Sequence, residues 1–250
     1  MNPALGLRIS LTILLTLSLK SFTAMAQNDF EKDILKTAAG NFEITFLGHG
    51  SLMFSIGDKI IHIDPYSSVA DYSRLPKADL ILITHEHGDH LDLRALSAIR
   101  KQNTQLIYPA KCAPSLSDGV IMKNGDKRSF GDISIEAVPA YNLQNGPAAG
   151  QVYHPKGQGN GYILTVGDKN IYVAGDTENT PEMKALKNID VAFLPMNLPY
   201  TMSPEMVADA VKAFRPKILY PYHYGETKTQ KLLDLLKDEK ETEVRIRKMQ

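Results

Sequence analysis

Apolar and polar positions alternate with a period of two over Phe42–Leu47, and the pattern returns over Leu52–Ile56 and Lys59–Ile63. That spacing predicts strands with one buried face. The turns Gly48-His49-Gly50-Ser51 and Gly57-Asp58 separate them, so the three read as an antiparallel meander ending at Asp64-Pro65. Asp79–Thr84 is apolar almost throughout and reads as a buried strand. Asp92 then caps a helix in which Leu93, Leu96 and Ile99 recur at helical spacing. Gln105–Tyr108 and Ile133–Val138 are further strands. Tyr162–Val166, the turn Gly167-Asp168 and Lys169–Ala174 form a second hairpin. Strands at Val191–Leu194 and Lys217–Tyr220 flank a helix that opens at Ser203-Pro204-Glu205 and stops at Pro216. A last helix covers 227–238, with an edge strand around 244–246. Gln27–Asn41 carries a short helical pattern and reads as a polar leader onto the domain.

Two features break the regularity. Gly57-Asp58-Lys59-Ile60-Ile61-His62-Ile63 and Gly167-Asp168-Lys169-Asn170-Ile171-Tyr172-Val173 match in turn and pattern, and each is soon followed by an aspartate, Asp64 and Asp176. Strands alternating with helices, with this internal echo, predict an α/β chain of two similar halves. Between them, residues 139–161 are rich in Gly, Pro, Asn and Tyr, and a loop of that length inside a domain is usually functional.

The chemistry concentrates behind the buried strand, in Thr84-His85-Glu86-His87-Gly88-Asp89-His90. Imidazole and carboxylate are ligands of zinc and related divalent metals. His85 and His87 can reach one ion from a tight turn, while Asp89 and His90 fall on its far side and can serve a second. His85, Asp176 and His223 each follow an apolar strand, and residues at the carboxyl ends of strands converge in α/β sheets.

Composition narrows the class. The 250 residues open with Arg8, the apolar run Ile9–Leu19 and Ala24-Met25-Ala26. This reads as a signal peptide over 1–26, cleaved before Gln27, because the run falls short of the ~20 residues of a membrane span. One domain, 27–250, follows. Its charge is slightly acidic once Arg8 and Lys20 are gone, which argues against a nucleic-acid partner. Cys112 is the sole cysteine, so neither an intramolecular disulfide nor a lipoprotein-type cysteine near the cleavage site is available, and it reads as a small packing residue. The expected product is secreted or periplasmic, with no stable membrane association after cleavage.

The His85–His90 motif, together with Gly48-His49-Gly50-Ser51, Ile63-Asp64-Pro65, Ala174-Gly175-Asp176-Thr177 and Pro221-Tyr222-His223, resembles the signature of the metallo-β-lactamase-fold superfamily. It is most similar to bacterial metal-dependent hydrolases of the ascorbate-phosphate-lactonase type. It is less similar to the antibiotic-destroying zinc enzymes, many of which lack the equivalent of His90 and commonly carry Cys in place of Asp176. The resemblance implies a four-layer αββα sandwich. It further implies two ions, zinc first with manganese or iron as alternatives: His85 and His87 on one, Asp89, His90 and His223 on the other, Asp176 bridging. Asp64 resembles the aspartate that orients a ligand imidazole.

One departure stands out. The family supplies a third histidine to the first ion after the strand equivalent to Ile133–Val138, where this chain reads Ala140-Tyr141-Asn142. His154 from the long loop, Asn142 or water are the candidate replacements, or one ion alone is bound. His49, at the same mouth, is expected to polarise substrate or support the site, and Asp89 to orient or deprotonate the nucleophile. His62, mid-strand, reads as structural. Tyr141, Lys156 and Tyr200 are candidate substrate contacts. The function implied is hydrolysis of a small-molecule ester, lactone, amide or phosphodiester by a metal-bound hydroxide. The alternatives are an iron-dependent redox enzyme on the same ligands and a non-catalytic metal-binding protein.

Overall fold

Two seven-stranded sheets are built to one plan. The computed structural model describes residues 30–250, and the expected signal peptide 1–26 lies outside them. The first sheet holds β1 (Lys32–Thr37), β2 (Gly40–Gly48), β3 (Ser51–Ile56), β4 (Lys59–Ile63), β5 (Leu80–Leu82), β6 (Gln105–Tyr108) and β7 (Val120–Ile121), neighbours in space as in sequence. The second holds β8 (Lys127–Phe130), β9 (Ile133–Ala140), β10 (Gly159–Val166), β11 (Lys169–Val173), β12 (Val191–Pro195), β13 (Ile218–Tyr222) and β14 (Glu243–Val244), again in sequence order. In each sheet four strands form an antiparallel meander and the next three continue parallel to the fourth. Parallel neighbours require crossovers. Four carry an α-helix: α1 (Leu93–Ile99) from β5 to β6, the short α2 (Pro181–Lys184) from β11 to β12, α3 (Pro204–Phe214) from β12 to β13 and α4 (Thr229–Leu235) from β13 to β14.

Strand alternation sorts the core into layers. Phe42, Ile44 and Phe46 of β2, Leu52 and Phe54 of β3, and Leu80 and Leu82 of β5 share one core with Ile135, Tyr162, Leu164 and Phe193 of the second sheet. Residues of opposite parity, Met53, Ile81, Ile83, Leu106 and Tyr108, pack instead with Ala95, Leu96 and Ile99 of α1. The Val207, Ala210, Val211 and Phe214 face of α3 joins the first core. The result is helix, sheet, sheet, helix. Across the sheet interface Phe193 meets Phe54 at 5.8 Å and Phe46 at 6.3 Å, contacts worth roughly 0.5–1.5 kcal/mol each beyond burial.

Local chemistry sets the ends. Asp92 Oδ1 accepts from the Arg94 and Ala95 amides at 2.8 and 3.2 Å, and Ser203 Oγ from that of Met206 at 3.2 Å. Helix α3 ends with Arg215 in the left-handed region (φ 50°), where the following Pro216 disfavours further helix.

The helical reading of the first residues is corrected. Lys32–Thr37 is a strand, paired along its whole length with β2. Leu35 packs against the core while Ile34 faces out at 59 % exposure. Pairing with a neighbouring edge overrides weak local helix propensity. Cys112 is fully buried, as expected of a packing residue.

Candidate metal centre

The carboxyl ends of β2, β4, β5, β9, β11 and β13 deliver, in turn, His49, Asp64, the Thr84–His90 turn, Tyr141-Asn142, Asp176 and His223. Three hydrogen bonds stitch the two halves together here. The His223 amide donates to His49 O at 3.0 Å, the Asn160 amide to Thr84 O at 2.8 Å, and the Tyr162 hydroxyl to Ile83 O at 2.7 Å. Backbone conformation marks the same place. His49, Asp64 and His223 all lie in the left-handed region, with φ of 52°, 43° and 47°. Such strain costs ~1–3 kcal/mol per residue and gathers at functional sites. Two glycines admit close approach. A Cβ on Gly50 would lie 2.8 Å from His90 Cε1, and one on Gly175 would lie 2.9 Å from the Thr84 Cβ.

Two clusters of ligand atoms result. His85, His87 and His154 form one and His49, Asp89, His90 and His223 the other, with the ligand atoms of each within 4.8 Å of one another. Asp176 lies between them. Its Oδ2 is 3.5 Å from His154 Nε2 and from His223 Nε2 and 4.0 Å from His85 Nε2, and its Oδ1 is 3.5 Å from His90 Nε2. So every residue assigned to the metals from sequence, His154 included, stands in one cleft. His154 Nε2 is 3.2 Å from His87 Nδ1. His49 Nε2 donates to Asp89 Oδ2 at 2.9 Å, and its ring centroid lies 3.7 Å from that of His223, tilted by 38°.

The residues fit a cation. His85, His90 and His223 each bury Nε2, and Asp176 buries Oδ1, with no hydrogen-bond partner. Four unanswered polar atoms facing one another would be costly without an ion to satisfy them. The other side of His90 is fixed. Asp64 accepts from His90 Nδ1 at 2.8 Å, from the Thr84 amide at 2.7 Å and from the Thr84 hydroxyl at 2.5 Å, which leaves His90 Nε2 aimed at Asp176.

Electrostatics agree. Burial alone would discharge His90, yet Asp176, Asp64 and Asp89 outweigh it and raise its pKa to about 9. The carboxylates hold a positive charge where a metal ion would supply one. His85 and His154 lie deeper in imidazole company, and burial pushes both down, His154 to about 4. Burial works against the charge of Asp89, but the His223 imidazole beside it and the hydrogen bond from His49 overcome it and hold the carboxylate well below its usual range. Asp176 behaves likewise, its burial outweighed by the surrounding imidazoles.

Other candidates fall elsewhere. His62 is buried in β4, donating from Nε2 to Pro76 O at 3.1 Å, as a structural residue should. The Tyr141 hydroxyl donates to Glu182 Oε2 at 2.8 Å and Lys156 pairs with Glu182 Oε1 at 2.6 Å, so both are tied into one surface network. Tyr200 is 47 % exposed beside Tyr153, their rings 5.0 Å apart. Sequence reasoning missed Glu178, a fully buried carboxylate beneath Asn142. The one available signal was its place two residues after Asp176.

Comparison with known proteins agrees with this geometry. Residues 43–223 match the beta-lactamase superfamily domain. A UPF0173 metal-dependent hydrolase of Pelotomaculum thermopropionicum is 32 % identical over 194 residues, covering 73 % of this chain and 84 % of the relative. A crystal structure named as a metal-dependent hydrolase from Parabacteroides distasonis is 51 % identical, with a TM-score of 0.84 over 88 % of this chain and 100 % of that one. A metallo hydrolase from the archaeon Ignicoccus hospitalis is 25 % identical, with a TM-score of 0.69 over 83 % and 95 % of the two chains. With its paired sheets and its histidine and aspartate cleft, the chain belongs to the β-lactamase superfamily, among the metal-dependent hydrolases.

Proposed function

We propose that the chain is an exported hydrolase that holds two divalent ions, zinc by the chemistry of its donors, and cleaves a small ester, lactone, amide or phosphodiester. One observation carries the reading: unpartnered Nε2 atoms of His85, His90 and His223 converge on the Asp176 carboxylate, His90 at Oδ1 and the other two at Oδ2. His85, His87 and His154 would hold one ion and Asp89, His90 and His223 the other, with Asp176 shared. Such ions, when bound, bring the pKa of water towards ~7 and polarise a carbonyl or phosphoryl oxygen.

The chain's own groups supply the rest. Asp64 accepts from His90 Nδ1, which leaves Nε2, facing Asp176, as the atom that would hold the ion. Asp89, about a third exposed and gripped by His49, supports a role in orienting the attacking water and accepting its proton. His49 acts behind Asp89, holding its carboxylate in one orientation. Tyr153, His154 and Gln158 line the cleft with His85 and Asp176, so the long loop forms one wall of the substrate's entry. The leader over 1–26 is the ground for export.

Metal analysis joined to a panel of lactones, β-lactams, esters and phosphodiesters tests the reading. We expect two equivalents of zinc per chain and turnover that is abolished in His87→Ala. Metal-loaded protein that turns over nothing in the panel or in a broad metabolite screen overturns it, and iron as the native metal would favour redox chemistry instead. N-terminal sequencing of the exported protein should begin at Gln27.

A further inference from the structure

Glu178 follows Asp176 by two residues and is fully buried, yet it belongs to neither ligand cluster. Its carboxylate is answered by N–H groups of the long loop. Oε1 accepts from the Asn145 amide at 2.7 Å, and Oε2 from the amides of Leu143 and Gln144 at 3.0 and 3.2 Å. A further bond comes from a side chain, Asn142 Nδ2, to Oε1 at 3.2 Å. The same Nδ2 donates to Tyr200 O at 2.8 Å. Both amide protons of Asn142 are thereby committed, and its Oδ1 is left as an acceptor. That oxygen lies 2.5 Å from His154 Nδ1. An oxygen there admits only a donor, so His154 carries its proton on Nδ1 and presents a lone pair at Nε2, towards His87 and Asp176.

We propose that Glu178 is a positioning residue for the metal centre: through Asn142 it fixes the tautomer of His154 and so completes the first ion's ligand set. Two carboxylate oxygens orient one amide, the amide orients one imidazole, and the imidazole comes from a loop with no strand beneath it. A strand-borne histidine needs no such chain of partners, because its backbone already aims it. The proposal rests on the two-ion reading of the cleft. It adds a cause for the placement of His154 that the ligand clusters alone do not provide.

The test uses Glu178→Gln, which keeps the size but turns one acceptor into a donor facing N–H groups, and Asn142→Ala, which cuts the link while sparing the backbone amides. Zinc titration calorimetry on the metal-free proteins should show two sites in the wild type. In either variant one site should weaken by about 10–100-fold, the usual cost of losing such a support, while the other is unchanged. A purely structural anchor would instead lower stability and leave both affinities alone, and that result overturns the proposal. Nitrogen-15 NMR of the metal-free wild type gives an answer even if both variants fail to fold. His154 should show the Nδ1-protonated form, and the Nε2-protonated form overturns the proposal. Failure of the wild type to bind zinc at all would instead sink the two-ion reading.

Discussion

The two halves share a hairpin, Gly57–Ile63 and Gly167–Val173, but use the aspartate that comes after it for different ends. In the first half Asp64 comes one residue after β4 and is fully buried behind His90 and Thr84. In the second, Ala174 and Gly175 intervene after β11, Gly175 turns the chain at φ 66°, and Asp176 reaches into the cleft against four imidazoles. Two extra residues, one of them free to take a left-handed turn, convert a supporting carboxylate into one shared by both clusters. On the two-ion proposal, a repeated scaffold thus supplies both a ligand and a ligand's support.

Substitution at the two aspartates breaks the comparison most directly. Asp176→Asn keeps the shape but removes the charge that His85, His90, His154 and His223 all face. Activity should fall to background, and metal analysis should find less than one ion per chain. Asp64→Asn should act more weakly, directly through His90 and through Thr84, whose hydroxyl lies 3.0 Å from His85 Nδ1, with metal affinity down about 10–100-fold and residual turnover. Chelator competition on both variants measures this. Equal losses at the two positions would show that the halves do not divide the roles of ligand and support.

Much of the site is legible in the chain itself, for one physical reason. A buried strand has a strong pattern, and the residues just beyond its carboxyl end point into the cleft, so His85, Asp176 and His223 stand out a short step past each apolar run. Loops carry no such grammar. His154 was only one candidate among several, because its place depends on Asn142, 12 residues away, and on Glu178, 36 residues from Asn142. Strand β1 escaped for the related reason that an exposed edge has little pattern of its own. Its hydrogen bonds come from β2. Short polar β8 was missed likewise, being ordered by pairing with β9.

The hairpins also differ one position before their last residue, His62 in the first and Tyr172 in the second, both fully buried. Burial lowers the His62 pKa to about 4, against a smaller opposing pull from its bond to Pro76 O. Above the unfolded value of about 6.5 both states are neutral and pH has no effect through this group. As pH falls below 6.5 the unfolded chain takes up a proton that the folded chain refuses, so stability is lost progressively, the loss complete near pH 4. The penalty is ~3 kcal/mol. Urea denaturation of metal-free protein from pH 7 to pH 4 should show His62→Gln losing less stability than the wild type by about that amount, since other titrating groups cancel in the difference. Parallel curves would mean that His62 is protonated in the fold.

Tyr172 gives the smallest effect and the cleanest contrast. Burial pushes its hydroxyl above the ordinary phenol range, so it stays neutral from pH 4 to pH 8 and contributes no pH dependence there. Its oxygen is buried without a hydrogen-bond partner, while the ring packs edge-on to Phe214 at 6.2 Å. An unanswered buried hydroxyl costs ~1–3 kcal/mol, part of which Tyr172→Phe should return, with the ring contact kept. Stability should stay level or rise by ~1 kcal/mol, by the same amount at pH 7 and at pH 5. A loss would show that the hydroxyl is satisfied after all. A gain that varied with pH would show that the second half carries a titrating partner, and the distinction between the two hairpins would then vanish at this position.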